Sequence, residues 1–335
     1  MAKKKDRYDQ YSNMEQEQLF EDNSKPKPQS DDEVAKDVDE ETQTSAPASY
    51  IKVQFDSLGK LSAPPILHFR NYTMEEAIEM ADMTRENETE VIVRILNNLV
   101  YEDFDCGLLH PKEAEYALLS IYAKWWNNVI DGMPYFKDVT ITDPEQLRDK
   151  SNVGRAVLPI ENIETAPIKS DFEEPIEIDL GEQGKYGFIL PRMNMYIRAR
   201  NFVRRKYRNL DRFYSDFRMK LHKEEKNPGA VDIDPEMEDE YREHERQKQK
   251  DELRVQQALH IQYVNGEELE DNIETRLKAL KEDVPATAWK AFRAVEKENM
   301  FGVKPDVSFF EEQSGEFLTR RFRFRLLDYL PSMDT

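Results

Sequence analysis

Few side chains in this sequence are spaced for chemistry. The five histidines, His68, His110, His222, His244 and His260, show no metal-ligand spacing, and there is no H-E-x-x-H. Gly181-x-x-Gly184-x-x-Gly187 is glycine-rich and Lys185 follows Gly184, but Tyr186 stands where a phosphate loop needs Ser or Thr. A hairpin turn accounts for those glycines. Asp232-x-Asp234-x-Glu236 follows the opening of a calcium loop, yet Met237 takes the position that needs glycine for the sharp turn. Asn71-Tyr72-Thr73 and Asn87-Glu88-Thr89 fit the glycan acceptor pattern, which matters only in a secreted chain. No serine sits in a nucleophile elbow. Carboxylates are so many that no pair of them is informative. The single cysteine, Cys106, excludes an intrachain disulfide framework and a cysteine-cluster metal site, and reads as a small buried side chain beside Phe104. No catalytic residue, cofactor ligand or metal ligand is assigned, and a non-enzymatic function is expected.

One segment stands above this background. Between Arg192 and Lys223 there are eleven basic residues and two acids, a balance of +9 in a chain of net charge −20. Aromatic residues interleave with them. Arg204, Arg205, Tyr207, Arg208, Leu210 and Phe217 are the candidate partner-binding residues, because aromatic and arginine side chains suit an interface centre. Three readings compete. The basic helix pairs with the chain's own acidic stretch around Glu236–Glu245, or lies in solvent. It docks on an acidic partner protein. Or it binds nucleic acid, against which the overall negative charge weighs.

The elements that would carry these residues follow from periodicity. Ile51, Val53 and Phe55 alternate with Lys52 and Gln54, which predicts a strand with one wet face. Pro64-Pro65 forbids helix before a second strand at Ile66–Arg70. Thr73 and Glu76 form a predicted capping box, with Thr73 accepting from the backbone N–H three residues on and Glu76 reaching back to the Thr73 N–H. Asn87 and Glu90 repeat the signal ahead of Val91, Ile92, Ile95, Leu96 and Leu99. Gly107 breaks the chain, and Pro111 opens a third helix with Ala114, Leu118, Ile121 and Trp125 as its stripe, running to Gly132. Val139 with Ile141, then Val157, Leu158 and Ile160, suggest short strands. Pro175–Leu180 and Tyr186–Leu190 read as a hairpin that closes the first domain.

From Arg192 the pattern is helical. Tyr196, Val203, Tyr207, Leu210, Tyr214, Phe217 and Leu221 form a heptad-like stripe ended by Asn227-Pro228-Gly229. Asp234-Pro235 starts another helix, nearly all charge over Glu238–Glu252 and expected to be solvated there, with a packed part at Leu253–Val264 and an end at Gly266. Leu269, Ile273, Leu277 and Leu280 stripe a shorter helix, and Trp289, Phe292 and Val295 the next. Arg321–Leu327 fits an amphipathic strand or a helix turn equally. The expected fold class is α+β, a small helix-plus-hairpin domain followed by an extended, highly charged helical region. The expected divisions are a disordered acidic tail over 1–49, a core domain over 50–191, a charged helical extension over 192–265 and a C-terminal helical region over 266–335.

Composition agrees with partial globularity, since 39% of the 335 residues are hydrophobic and 35% charged. Met-Ala-Lys-Lys-Lys-Asp leads into no apolar region, and no run approaches a membrane span, so a soluble chain, cytosolic at synthesis, is expected.

Leu67-His68-Phe69-Arg70, then Tyr72-Thr73-Met74-Glu75-Glu76, resembles the start of the baseplate hub and hub-assembly proteins of contractile-tailed (T-even-type) bacteriophages. Those chains open with an apolar strand ending in arginine and a Thr-capped acidic helix. A striped helix, a long aromatic-containing helix (here Glu113–Asp131) and a hairpin ending in proline (here Ile176–Pro191) follow. The similarity covers roughly 66–191, while the first fifty residues and the extension after Arg192 depart from it. The resemblance implies a non-enzymatic virion structural or assembly protein of the tail baseplate. Its partners would be other tail or baseplate proteins, and it would be made in the host cytoplasm.

Overall fold

The computed structural model describes residues 46–81, 83–84, 87–137, 153–226, 234–311, 315–322 and 324. All but the last residues of the expected tail, the Val139/Ile141 strand, the Asn227-Pro228-Gly229 stop and most of 321–327 lie outside the described residues.

In chain order the elements are β1 (Tyr50–Gln54), β2 (Ile66–Arg70), α1 (Met74–Ala81), α2 (Glu88–Leu99), α3 (Pro111–Trp125), β3 (Val129–Phe136) and β4 (Val153–Pro159). Then come β5 (Thr165–Ala166), β6 (Ile176–Asp179), β7 (Lys185–Phe188), α4 (Met193–Phe213), α5 (Ser215–Lys226) and α6 (Pro235–Leu259). The last are β8 (Ile261–Val264), β9 (Glu267–Glu268), α7 (Ile273–Glu282), α8 (Ala286–Glu298), β10 (Gly302–Val303), β11 (Asp306–Glu311) and β12 (Glu316–Arg321). With helices and small antiparallel sheets the chain is α+β, as expected. Two compact units share it. One holds Ala48–Asn128 and Glu164–Lys304, the other Val129–Ile163 and Pro305–Arg323.

In the larger unit β1 and β2 pair antiparallel with Val53 opposite Leu67 and Ile51 opposite Phe69. Val53, Leu67 and Phe69 are buried, the apolar face that alternation predicts. Half of the capping box forms at α1: Glu76 accepts the Thr73 N–H at 2.6 Å. The other half does not. The Thr73 hydroxyl donates to the same Glu76 carboxylate, which also takes an ion pair of 2.6 Å from Arg70. A buried carboxylate needs donors more than a helix end needs an acceptor, so the charged group recruits the hydroxyl. At α2, Asn87 is the N-cap residue without a side-chain cap, because its carboxamide oxygen accepts from Thr84 in the preceding turn. Val91, Ile92, Ile95, Leu96 and Leu99 are buried as their spacing requires.

The capping box that does close is at α3 and was not foreseen. His110 accepts the Lys112 N–H at 3.0 Å and Glu113 accepts the His110 N–H at 2.7 Å. Ala114, Leu118 and Ile121 are buried beneath it. The helix ends at Trp125 and not at Gly132, since Val129–Phe136 is strand β3 in the smaller unit.

The predicted hairpin β6–β7 has Ile178 opposite Tyr186 and continues as the antiparallel sheet β6-β7-β8-β9. Gly187 lies beneath Tyr263, where a Cβ would come within 2.0 Å of the ring, so a larger residue there would displace the ring that β8 lays over β7. Residues 261–264 are therefore strand, and the helix expected to reach Gly266 stops at Leu259. Phe188 stacks on Phe292 of α8 at 4.8 Å, joining Ile176, Ile178 and Ile261 in the core of this region. After β9 the chain forms helices α7 and α8, as far as Glu298, and then strands β10 to β12.

In the smaller unit β3 pairs with β4, with a register shift beside Gly132, and β11 pairs with β12. Tyr135 meets Phe309 edge-on at 5.0 Å, and Phe322 closes the cluster.

Candidate docking site on a helical arm

The basic segment builds one side of a helical arm in the larger unit, α4 continued by α5 and packed against α6. Its first residue, Arg192, is buried and serves the fold. The guanidinium pairs with Glu174 and donates to the carbonyl oxygens of Leu190 and Pro191 and to Ser62. α4 then presents Met195, Ala199, Val203 and Tyr207 at four-residue steps to Val255 and Leu259 of α6 and Ile273 of α7. At Tyr214 the helix breaks, and α5 continues with Leu221 and Phe217 against Tyr241 and Met237 of α6. α6 starts where expected, with Asp234 accepting the Glu236 N–H and Pro235 in the first turn. Tyr207 meets Asp251, Asp211 meets His244 and Lys248, and Tyr214 meets Tyr241, so α4 and α6 run antiparallel.

Two carboxylates hold the arm together. Asp251, 7% exposed, accepts from the Tyr207 hydroxyl at 2.8 Å and from the Gln247 amide at 3.1 Å, and pairs with Lys206. Burial acts against its charge, but the Lys206 ammonium and the Tyr207 hydroxyl outweigh it and leave Asp251 below the usual carboxylate range. Asp211 is held down in the same way, its partial burial outweighed by Lys248 at 2.8 Å and His244 at 2.9 Å. Asp211, His244 and Glu245 bring ligand atoms within 4.8 Å of one another, a possible cation geometry. Lys248 already lies 2.8 Å from Asp211 and 3.4 Å from Glu245, so an ammonium supplies the charge a metal would bring.

The six candidate residues separate. Arg204 pairs with Glu90 of α2 at 3.1 Å, and Tyr207 is buried against His244 and bonded to Asp251. Phe217 is half-buried, its ring 5.8 Å from Tyr241. Arg205 donates to the Asn201 carbonyl and is otherwise exposed, Arg208 is exposed, and Leu210 is 47% exposed. The stretch Glu238–Glu252, expected to be solvated, buries Tyr241, His244 and Asp251 at three- and seven-residue steps. That is the signal sequence reasoning missed, because two of the three core positions are polar. The pairing of basic helix with acidic helix is present, but on Asp251 and Glu252, C-terminal to the expected Glu236–Glu245.

What the arm leaves uncovered is apolar as well as charged. Leu210, Phe213 (64% exposed) and Met219 (57%) stand out on α4 and α5. A shallow groove of about 480 Å³ runs between the helices, with Tyr207, Leu210, Tyr214 and His244 as one part of its lining and Glu240, Glu243 and Gln247 as the other. Among the described residues no helix is long and apolar enough to cross a membrane. No protein-family model, curated protein or solved structure matches the chain.

Proposed function

We propose that this chain is a non-enzymatic structural or assembly protein of a phage tail baseplate, of the hub or hub-assembly kind, working through protein–protein contacts made by the helical arm. The observation that carries the docking role is the exposure of Leu210, Phe213 and Met219 on an arm whose helices are joined by ion pairs. Leu210 and Phe213 stand three residues apart on α4, and neighbouring large apolar side chains left in water mark an interaction site. The tail assignment rests on the resemblance of Leu67–Glu76 and of the elements that follow it. The nucleic-acid reading loses ground for a stated reason: of the eleven basic residues between Arg192 and Lys223, Arg192, Arg198, Arg200, Arg204 and Lys206 are ion-paired to carboxylates of the same chain. Those charges are already matched by carboxylates, so they are not free to neutralise phosphates and displace the counterions condensed on a nucleic acid.

Two sets of variants test the docking role. Leu210→Ser with Phe213→Ser should abolish assembly with tail proteins while circular dichroism stays unchanged. Arg205→Gln with Arg208→Gln should mainly slow association and reduce its salt dependence. Tight, steeply salt-dependent binding of the whole chain to random-sequence DNA near physiological salt would replace this reading with the nucleic-acid one.

A further inference from the structure

The side of the arm that carries Leu210 has a second pattern, written along α6. Glu236, Glu240, Glu243, Gln247, Lys250 and Arg254 follow at alternating four- and three-residue steps, which places them on one face of the helix. All are exposed except Gln247, which is half-buried. Their charges run in order: three acids, a neutral amide, two cations. Over eighteen residue steps at 1.5 Å the face is about 27 Å long.

A face ordered in this way complements itself when turned end for end. A two-fold axis through Gln247 sets Glu240 against Arg254 and Glu243 against Lys250 of a second copy, and the reverse pairs follow by symmetry. Stacked in parallel, the same faces would bring like charges together. The groove puts apolar surface at the same centre, since Leu210 lines it together with Gln247, Glu243 and Glu240. Leucine at the axis with charges outside it is the anatomy of an interface, an apolar middle and a polar rim. The sign change also argues against other occupants. A partner of uniform charge would gain on one half of this face and lose on the other.

We infer that this face is where two copies of the chain associate, the arms packing antiparallel into a four-helix bundle centred on Leu210 and Gln247. This rests on the arm being a protein-docking element and names its partner on one side. Sedimentation of the full chain up to about 200 μM, which catches dissociation constants weaker than micromolar, should show a species of 39.6 kDa giving way to one of twice that mass. Two charge reversals dissect it, Glu240→Arg with Glu243→Lys, and Lys250→Glu with Arg254→Glu. Each alone should weaken self-association by at least about tenfold, because symmetry counts every reversed pair twice. Mixing the two reversed chains should restore a dimer.

A chain that stays at 39.6 kDa throughout overturns the inference, and so does association that either reversal leaves unchanged or that mixing fails to restore. A monomer that still enters tails would sink only the self-association. A dimer absent from tails and their precursors would sink only the tail assignment.

Discussion

Removing the Asp251 carboxylate should loosen the arm and little else. In Asp251→Ala the Tyr207 hydroxyl, in a side chain only 8% exposed, loses the acceptor it holds at 2.8 Å. Lys206 also loses its carboxylate, but its side chain is half in water and rehydrates at small cost. A hydrogen bond to a charged group contributes about 1.5–3 kcal/mol, and a buried hydroxyl left unpaired costs about 1–3 kcal/mol. These describe one loss from two sides, so the net is about 2–3 kcal/mol. Because two compact units share the chain, amide hydrogen exchange is a better assay than a global melt. Exchange of the Val203–Tyr214 amides should speed about 30- to 150-fold, the equivalent of that free energy. Leu253→Ala, at an exposed position two residues on, should leave it within about threefold. If the two substitutions behave alike, Asp251 does not clamp the arm.

His260 is buried against the Ile189 carbonyl, and burial, aided by the charges of Arg293 and Arg192, lowers its pKa to about 4. A folded pKa below the unfolded one means the unfolded chain binds the extra proton, so stability is full above about 6.5 and falls between there and about 4, by up to roughly 1.4 kcal/mol per pH unit. Stabilities of the wild type and His260→Gln from denaturant titrations should differ in their slope against pH inside that window and agree in slope on either side of it. Glu76 is held at about 2 by Arg70 and Thr73 in spite of its burial, so its contribution to stability is full above about 4.5 and is lost as the pH falls from there to about 2. In a Glu76→Gln variant the acid-side loss should be correspondingly flatter. His110→Ala removes the acceptor of a closed capping box and should cost about 1 kcal/mol in the same titrations. Leu118→Ala, at a fully buried position of α3, should cost roughly 2–5 kcal/mol; a cost no larger than that of an exposed change would mean the helix faces the other way.

The apolar skeleton of the fold was legible because burial imposes period two on β1, β2 and β6 and period near 3.6 on α2 and α3. Failures came where polar side chains did core work. His110 as a cap and Asp251 as a clamp have the residue types of a solvated surface, and only their partners across the chain reveal the role. The end of α6 was misplaced for a related reason. Ile261, Tyr263 and Val264 extend the helical stripe on paper, and what makes them a strand is pairing with β7, far earlier in the chain, where Gly187 leaves room for Tyr263. Of the six candidate docking residues, aromatic and arginine content alone did not separate Tyr207, turned inward, from Leu210, turned outward. That sorting depends on the partner helix, whose register no local pattern carries.

Quantitative mass spectrometry of purified tails and of their assembly intermediates tests the central claim most directly. The chain should be present in one or both at a fixed ratio to baseplate components, and Leu210→Ser with Phe213→Ser should remove it. Its absence from every tail particle and precursor, with the wild-type chain abundant and folded in the same cells, would contradict the assignment.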